Sequence, residues 1–204
     1  MTTRAICIDR QFGSGGHAIG ELVSDKLGYS FYDSALVNLA VEKGELSISA
    51  AEDADEKAVN PWLYTPLSSG TYPGLISQSG PERMFRIQSE IIQEAAQKEN
   101  CVFVGRLADA VLEDIADVNI VSFFIYGPEP YRIQRLIQTE GFTRKEAEAA
   151  MRKKDKQRRN YYNYYTGREY GNPVNYDFCI DSSYLGINGT AELLCQIIKL
   201  SENR

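Results

Sequence analysis

The chain has 204 residues, 43% of them hydrophobic and 25% charged, which allows one sizeable core and one domain. Its net charge of −6 works against non-specific attraction to nucleic acid. No apolar run is long enough to span a bilayer, and the start Met1-Thr2-Thr3-Arg4 lacks a secretory pattern, so a membrane or secreted protein is not expected.

In chain order, Arg4–Asp9 reads as a short buried strand, Gln11–Gly16 as a glycine-rich turn, and His17–Leu27 as a helix whose apolar side is Ile19, Leu22, Val23 and Leu27. Gly28 stands where a helix-ending glycine belongs. Tyr29–Tyr32 is a second strand, Ser34–Lys43 and Glu45–Lys57 are helical, and Asn60–Pro81, with four prolines and three Trp or Tyr residues, reads as a long loop. Helical spacing returns over Glu82–Lys98. Cys101–Val104 is a strand followed by Gly105-Arg106 and a helix to Glu113. Asn119–Tyr126 is another strand, Pro130–Gln138 and Arg144–Arg158 are helices, and Tyr161–Tyr170 is an aromatic, polar segment. Phe178–Ile180 and Thr190–Leu200 close the chain as strand and helix. Strands alternating with helices predict a mainly parallel α/β sheet covered on both faces, with ligands at the carboxyl ends of its strands. The four cysteines, Cys7, Cys101, Cys179 and Cys195, form no Cys-x-x-Cys pair; they read as reduced, structural thiols, and the expected compartment is the cytoplasm.

The chemistry starts where the first strand ends. Arg10-Gln11-Phe12-Gly13-Ser14-Gly15-Gly16-His17 runs into a helix, and glycines there let successive N–H groups converge on a phosphate at the helix N-terminus. A tight turn without a ligand is the bland alternative. The standard loop ends in Gly-Lys-Ser/Thr. With Gly13 and Gly15 on the motif glycines, Gly16 takes the lysine position and His17 that of the Mg²⁺-binding hydroxyl. Arg10 is near enough in sequence to supply the missing charge. His17, the only histidine, is either over a phosphate or simply exposed.

The run Ile8–Gly20 with Phe31-Tyr32-Asp33 resembles the cytidylate kinase-like family of P-loop kinases. So do Val104-Gly105-Arg106, Asp155-x-x-Arg158 and Tyr176–Ser183, in the same order along nearly the whole chain. The resemblance implies a three-layer P-loop kinase fold over residues 1–204, with an acceptor-binding insertion at about 34–98 and a helical lid at about 143–172. It implies transfer of the γ-phosphoryl group of ATP, with Mg²⁺, to CMP, dCMP or a similar acceptor. Arg10, Gly13, Ser14, Gly15, Gly16 and His17 would hold donor phosphates. Arg106, Asp155 and Arg158 would be catalytic, and Asp33, Ser34, Arg106 and Asp109 would face the acceptor, Asp109 also orienting Arg106. A helix N-cap accounts equally well for Asp33 or Ser34. The sequence departs from the family pattern in the missing lysine and in Arg158-Arg159-Asn160-Tyr161-Tyr162, where cytidylate kinases carry Arg-x-x-x-Pro-Leu. A same-fold kinase for another metabolite and a non-catalytic nucleotide-binding regulator stay open.

Eight cationic residues lie between Arg144 and Arg159 in an otherwise acidic chain. They fit a basic lid over phosphates, a solvated helix face paired to Glu146, Glu148 and Asp155, or, with Tyr161, Tyr162, Tyr164 and Tyr165, a base-stacking surface. The lid is preferred because of the resemblance. Arg132 and Arg135, three apart on one helix face, read either as phosphate contacts or as ordinary surface arginines, the second slightly favoured. Small-molecule nucleotides are the expected partners, no nucleic acid or membrane; a homodimer is allowed but not required. No metal-ligand set is evident.

Overall fold

The computed structural model describes residues 2–33 and 80–201. Strand β1 (Thr3–Arg10) is followed by α1 (Gly16–Leu27), β2 (Ser30–Tyr32), α2 (Gly80–Lys98), β3 (Cys101–Val104) and α3 (Ala108–Leu112). Then come β4 (Val118–Tyr126), α4 (Glu129–Glu140), α5 (Arg144–Thr166), a 3₁₀ turn (Pro173–Asn175), β5 (Phe178–Asp181) and α6 (Gly186–Leu200). The strands form one sheet in the order β2-β3-β1-β4-β5, and every neighbouring pair is parallel.

Alternation along the strands builds two cores. Ala5 and Cys7, in register with Cys101 and Phe103, face Met84, Ile87 and Ile92 of α2 and Leu112 of α3. Ile6 and Ile8, beside Val102, Val104 and Phe123, face Ile19 and Val23 of α1 and Leu194 and Ile198 of α6. Burial on both faces explains why these strands read as continuous apolar runs. The sheet therefore brings the ends of β1, β3 and β4 together under the N-terminus of α1. Gly28 ends α1 as expected, at φ 67°, its N–H bonded to the Ser24 carbonyl.

The long helix differs from the sequence reading. Instead of stopping at Arg158, α5 runs through the tyrosines to Thr166. A capping box opens it: the Thr143 side chain accepts the Glu146 N–H, and the Glu146 carboxylate accepts the Thr143 N–H at 2.8 Å. Gly167, at φ 67°, ends it. Tyr161 and Tyr162 lie on its inner face and are buried with Leu107, Phe124 and Tyr176. Packing thus extends a helix through a stretch whose hydroxyls made it look solvent-facing. The helices expected over 34–43 and 45–57, and the loop expected over 60–81 up to residue 79, lie outside the described residues. Of the insertion expected at 34–98, the described part is α2, which packs on the central sheet.

Candidate active site

The glycine turn is fixed from below. Gln11 N–H donates to the Ile125 carbonyl at 2.9 Å, and the Ser14 hydroxyl donates to the Gln11 carbonyl at 2.8 Å. The Ser182 hydroxyl donates to the Ser14 carbonyl at 2.7 Å, tying the turn to the chain just after β5. Ser14 is wholly buried, so its side chain braces the turn and does not line the opening. Gly13 and Gly15 have φ of 83° and 86°, a region that strains any residue with a Cβ. Gly15 is the N-cap of α1 and no side chain caps that end, so the helix directs its positive pole into the opening above. Gly16 explains the missing lysine: a Cβ there would lie 2.5 Å from Arg10 Cβ and 2.9 Å from Arg10 Cγ. Arg10 occupies the space from which a lysine side chain would leave.

Above the turn is a cavity of about 280 Å³. Its cationic lining comes from three elements: Arg10 at the end of β1, Arg135 on α4 and Arg158 on α5. Arg10 leans across the turn so that its guanidinium lies against Gly105, with Nη2 3.7 Å from Asp33 Oδ1. His17 Nδ1 stands 2.5 Å from Asp33 Oδ2, and its ring meets Phe31 edge-on at 5.5 Å. Arg10, His17 and Asp33 therefore form one group at the mouth of the cavity. Arg158 donates to the Arg10 carbonyl at 3.0 Å and lies over the Phe12 ring at 5.8 Å. The surface reading slightly favoured for Arg132 and Arg135 does not hold: Arg132 is buried and Arg135 lines the cavity beside the glycines. Two larger hollows lie at the starts of β4 and β5 and between α4 and α5; neither includes the glycine turn.

Asp155 does not face the cavity. One carboxylate oxygen accepts the Phe12 N–H at 2.7 Å and the other pairs with Arg132 Nη1 at 2.7 Å, while the same Arg132 nitrogen donates to the Phe12 carbonyl at 3.0 Å. Asp155 and Arg132 thus clamp both backbone groups of Phe12 and join α4 and α5 to the turn. The resemblance pairs Asp155 with Arg158 as catalytic residues; in the structure the Asp155 carboxylate meets the backbone of the turn and Arg132, and only Arg158 lines the cavity.

Arg106 and Asp109 lie apart from the glycine cavity as well. Gly105, Arg106 and Leu107 have φ of 78°, 60° and 58°, a strained turn between β3 and α3. It folds Arg106 into a small enclosure with Asp9, Arg158, Tyr161, Tyr162 and Tyr170. There Tyr176 donates to Asp9 at 3.2 Å and Tyr162 to Asp109 at 3.4 Å. Burial, and then the neighbouring Asp109, push the Asp9 carboxyl up to about 7; burial raises Asp109 too. The two carboxyls, Arg106 and the tyrosines form a polar layer under α5, which the sequence reading of Asp109 as an acceptor-facing residue that also orients Arg106 did not anticipate. Arg158 borders both this layer and the cavity, and so links them. Ser34 lies outside the described residues.

Most of the basic run is a solvated face. Arg144, Lys145, Arg152, Lys153, Lys154, Lys156 and Arg159 are exposed, Arg144 pairs with Glu148 at 3.0 Å, and Arg158 alone of the eight lines the cavity. The base-stacking alternative also weakens: Tyr161 and Tyr162 are buried, and Tyr165 stacks on Phe85 at 4.0 Å. Among the described residues no helix is long and apolar enough to cross a membrane, and no group of three or more His, Cys, Asp or Glu residues is set to hold a metal.

A parallel sheet in this order, with a glycine turn capping the helix after its central strand and arginines reaching in from the following helices, has the P-loop kinase fold. Residues 5–184 match the model of the Cytidylate kinase-like family, and the chain belongs to that family. Among solved structures, it is similar to an uncharacterized protein from Eubacterium ventriosum ATCC 27560 (25% identity, TM-score 0.71, covering 97% of this chain and 99% of that one). It also shares its fold with a shikimate kinase from Bacteroides thetaiotaomicron (15% identity, TM-score 0.55, 98% and 99%). A shikimate kinase from Acinetobacter baumannii, in complex with shikimate, is a third (13% identity, TM-score 0.51, 100% and 97%). No curated protein matches the chain.

Proposed function

We propose that the protein transfers the γ-phosphoryl group of ATP to a small-molecule acceptor. The observation that carries this reading is the convergence of Arg10, Arg135 and Arg158, from three separate elements, on the open glycine end of α1. Phosphoryl transfer needs little covalent help from a protein; it needs positioned cations and backbone donors around the equatorial oxygens, with water kept out. Gly13, Gly15 and Gly16 would admit the donor phosphates to the backbone. Arg158 would meet the transferring group, held in place by its bond to the Arg10 carbonyl. Asp155 is a positioning residue in this account, since it touches the turn's backbone.

ATP fits the residues present, because Gly15 leaves the first turn of α1 without a side-chain cap beneath a cavity lined by Arg10, Arg135 and Arg158. For Mg²⁺ the donors are sparse: His17 stands at the usual hydroxyl position, bonded to Asp33. The ion would be held by the donor phosphates and water, with Asp33 the carboxylate that lines the cavity. When bound it would supply charge neutralisation on the donor phosphates.

CMP or dCMP is the acceptor that family membership puts first. It would enter beside Asp33 and Arg10, at the end of β2, with Arg106 acting from the layer beneath. A second reading, another small acceptor, is favoured by the Arg10–Asp33–His17 group, since a neutralised arginine is a weaker monophosphate ligand than a free one. A cytoplasmic setting and a homodimer belong to the same proposal. ADP release from Mg·ATP, measured with each nucleoside monophosphate and with hydroxyl-bearing metabolites in turn, tests it. Release that depends on CMP or dCMP supports the first reading and release with another acceptor the second; ATP binding without release under any acceptor refutes both in favour of a regulator.

A further inference from the structure

A phosphate loop without its lysine lacks a principal charge, and the structure shows where a replacement can come from. This step rests on reading the cavity as a triphosphate site. The turn itself cannot supply the cation, because Arg10 fills the space above Gly16. Arg10 is drawn aside, its guanidinium against Gly105 and within 3.7 Å of the Asp33 carboxylate. Arg158 is engaged by the Arg10 carbonyl and the Phe12 ring. Arg135 differs from both. It is half-buried on α4, its Nε lies 3.2 Å from where a Gly15 Cβ would be, and its side chain has no ion pair or hydrogen bond with any described residue. The turn packs directly on α4, since a Cβ at Gly13 would meet both the Arg132 carbonyl and Leu136 Cδ1 at 3.1 Å. Bare backbone at 13 and 15 therefore lets neighbouring elements close on the turn: α4 at Gly13, and at Gly15 both Ile187 of α6, whose Cδ1 lies 2.1 Å from where a Cβ would be, and Arg135.

We propose that Arg135 does the work of the missing lysine, neutralising the β- and γ-phosphates of a nucleoside triphosphate from the α4 wall. Its planar guanidinium can take two phosphate oxygens at once, which a lysine ammonium cannot. Arg132, one turn back and locked to Asp155 and to Phe12, fixes the rotation of α4 that aims Arg135 at the glycines.

The test is calorimetric titration of the whole protein with ATP, ADP and AMP, each with Mg²⁺, for the wild type, Arg135→Ala and Arg135→Lys, with thermal melts as the check on folding. Charge-assisted hydrogen bonds of this kind correspond to about a 10- to 100-fold loss of ATP affinity in Arg135→Ala. A smaller loss is expected for ADP, none for AMP, and an intermediate one for Arg135→Lys. Unchanged ATP affinity in a folded Arg135→Ala overturns the proposal while leaving the kinase reading intact, and so does an equal loss for AMP and ATP. If Arg135→Ala melts early, Arg135→Lys decides, because it keeps charge and helix but not the fork: full ATP affinity there refutes the two-oxygen contact. A wild type that binds no ATP overturns the kinase reading itself and this assignment with it.

Discussion

Replacing Asp155 by alanine should cost more than any surface change on α5, and the structure sets the size. The carboxylate is about one-sixth exposed and Arg132 one-tenth, with 17% and 10% of side-chain surface accessible. Removing Asp155 leaves the Arg132 guanidinium largely buried with its bond to the Phe12 carbonyl but no counter-charge, and it leaves the Phe12 N–H without its acceptor. Breaking a buried pair by deleting one member costs about 3–5 kcal/mol. The lost backbone bond falls within that figure and is not added to it, because the two interactions share one carboxylate. Partial exposure places the expected loss at the lower end, about 3 kcal/mol. For a chain of this size that is a fall in Tm of roughly 6–12 °C. Urea denaturation of Asp155→Ala, Arg132→Met and the double variant gives the coupling directly. The double variant should be destabilised by less than the sum of the singles, by 1 kcal/mol or more, since the arginine no longer needs a partner. Strict additivity, or a loss below 1 kcal/mol in Asp155→Ala, would show that the clamp on Phe12 does not hold the turn.

Two further outcomes follow from the layer under α5. Asp9 keeps its proton in the folded protein up to about pH 7, against 3.8 for an ordinary aspartate, so the folded state binds the extra proton between those values. Stability from this group is full below about pH 4 and is lost as pH rises to about 7; Asp9→Asn, which cannot ionise, should therefore gain on the wild type over that range, by up to about 4 kcal/mol at pH 8. Parallel stability curves for the two proteins from pH 4 to 8 would refute the assignment. Arg158→Ala should lower acceptor-dependent ADP release at least 100-fold, with the bond to the Arg10 carbonyl and the contact over Phe12 together contributing about 1–2 kcal/mol to the stability lost; activity surviving unchanged would remove Arg158 from the phosphate site.

What could be read from the sequence is what neighbours in sequence decide. The strand runs Arg4–Asp9, Cys101–Val104 and Asn119–Tyr126, the glycine turn and the stop at Gly28 depend on local composition, and each falls where the structure has it. The roles of Asp155 and Arg132 depend on a partner far away: the Phe12 N–H lies 143 residues from Asp155, and no local spacing points to it. An arginine on a helix face reads as surface until something buries its charge, and here that something is a carboxylate on another helix. Arg135 had a visible signal, its position three residues after Arg132, yet only the packing of α4 on Gly13 shows which of the two faces the cavity. The end of α5 was misread for the opposite reason. Tyr161, Tyr162 and Tyr165 have helical spacing, but tyrosine counts as polar or apolar according to whether its hydroxyl finds a partner inside, and Tyr162 finds Asp109.

These placements make the loss of the lysine coherent with the rest of the site. In the usual loop one side chain, rooted in the turn, supplies the charge, and the turn's own geometry sets its reach. Here the turn carries no such side chain, and its geometry is held from outside: Asp155 and Arg132 grip Phe12, Arg158 grips Arg10, and Ser182 grips Ser14. The elements that grip the turn, α4 and α5, are the ones that bring Arg135 and Arg158 to its open side. Distance between backbone cradle and cations is then set by helix packing, through Ile133, Leu136, Ala147 and Met151 between α4 and α5, and not by one flexible four-carbon chain. On the proposed reading, a change at Ile133, Ala147 or Met151 in the α4–α5 core should alter ATP affinity without touching a residue that lines the cavity.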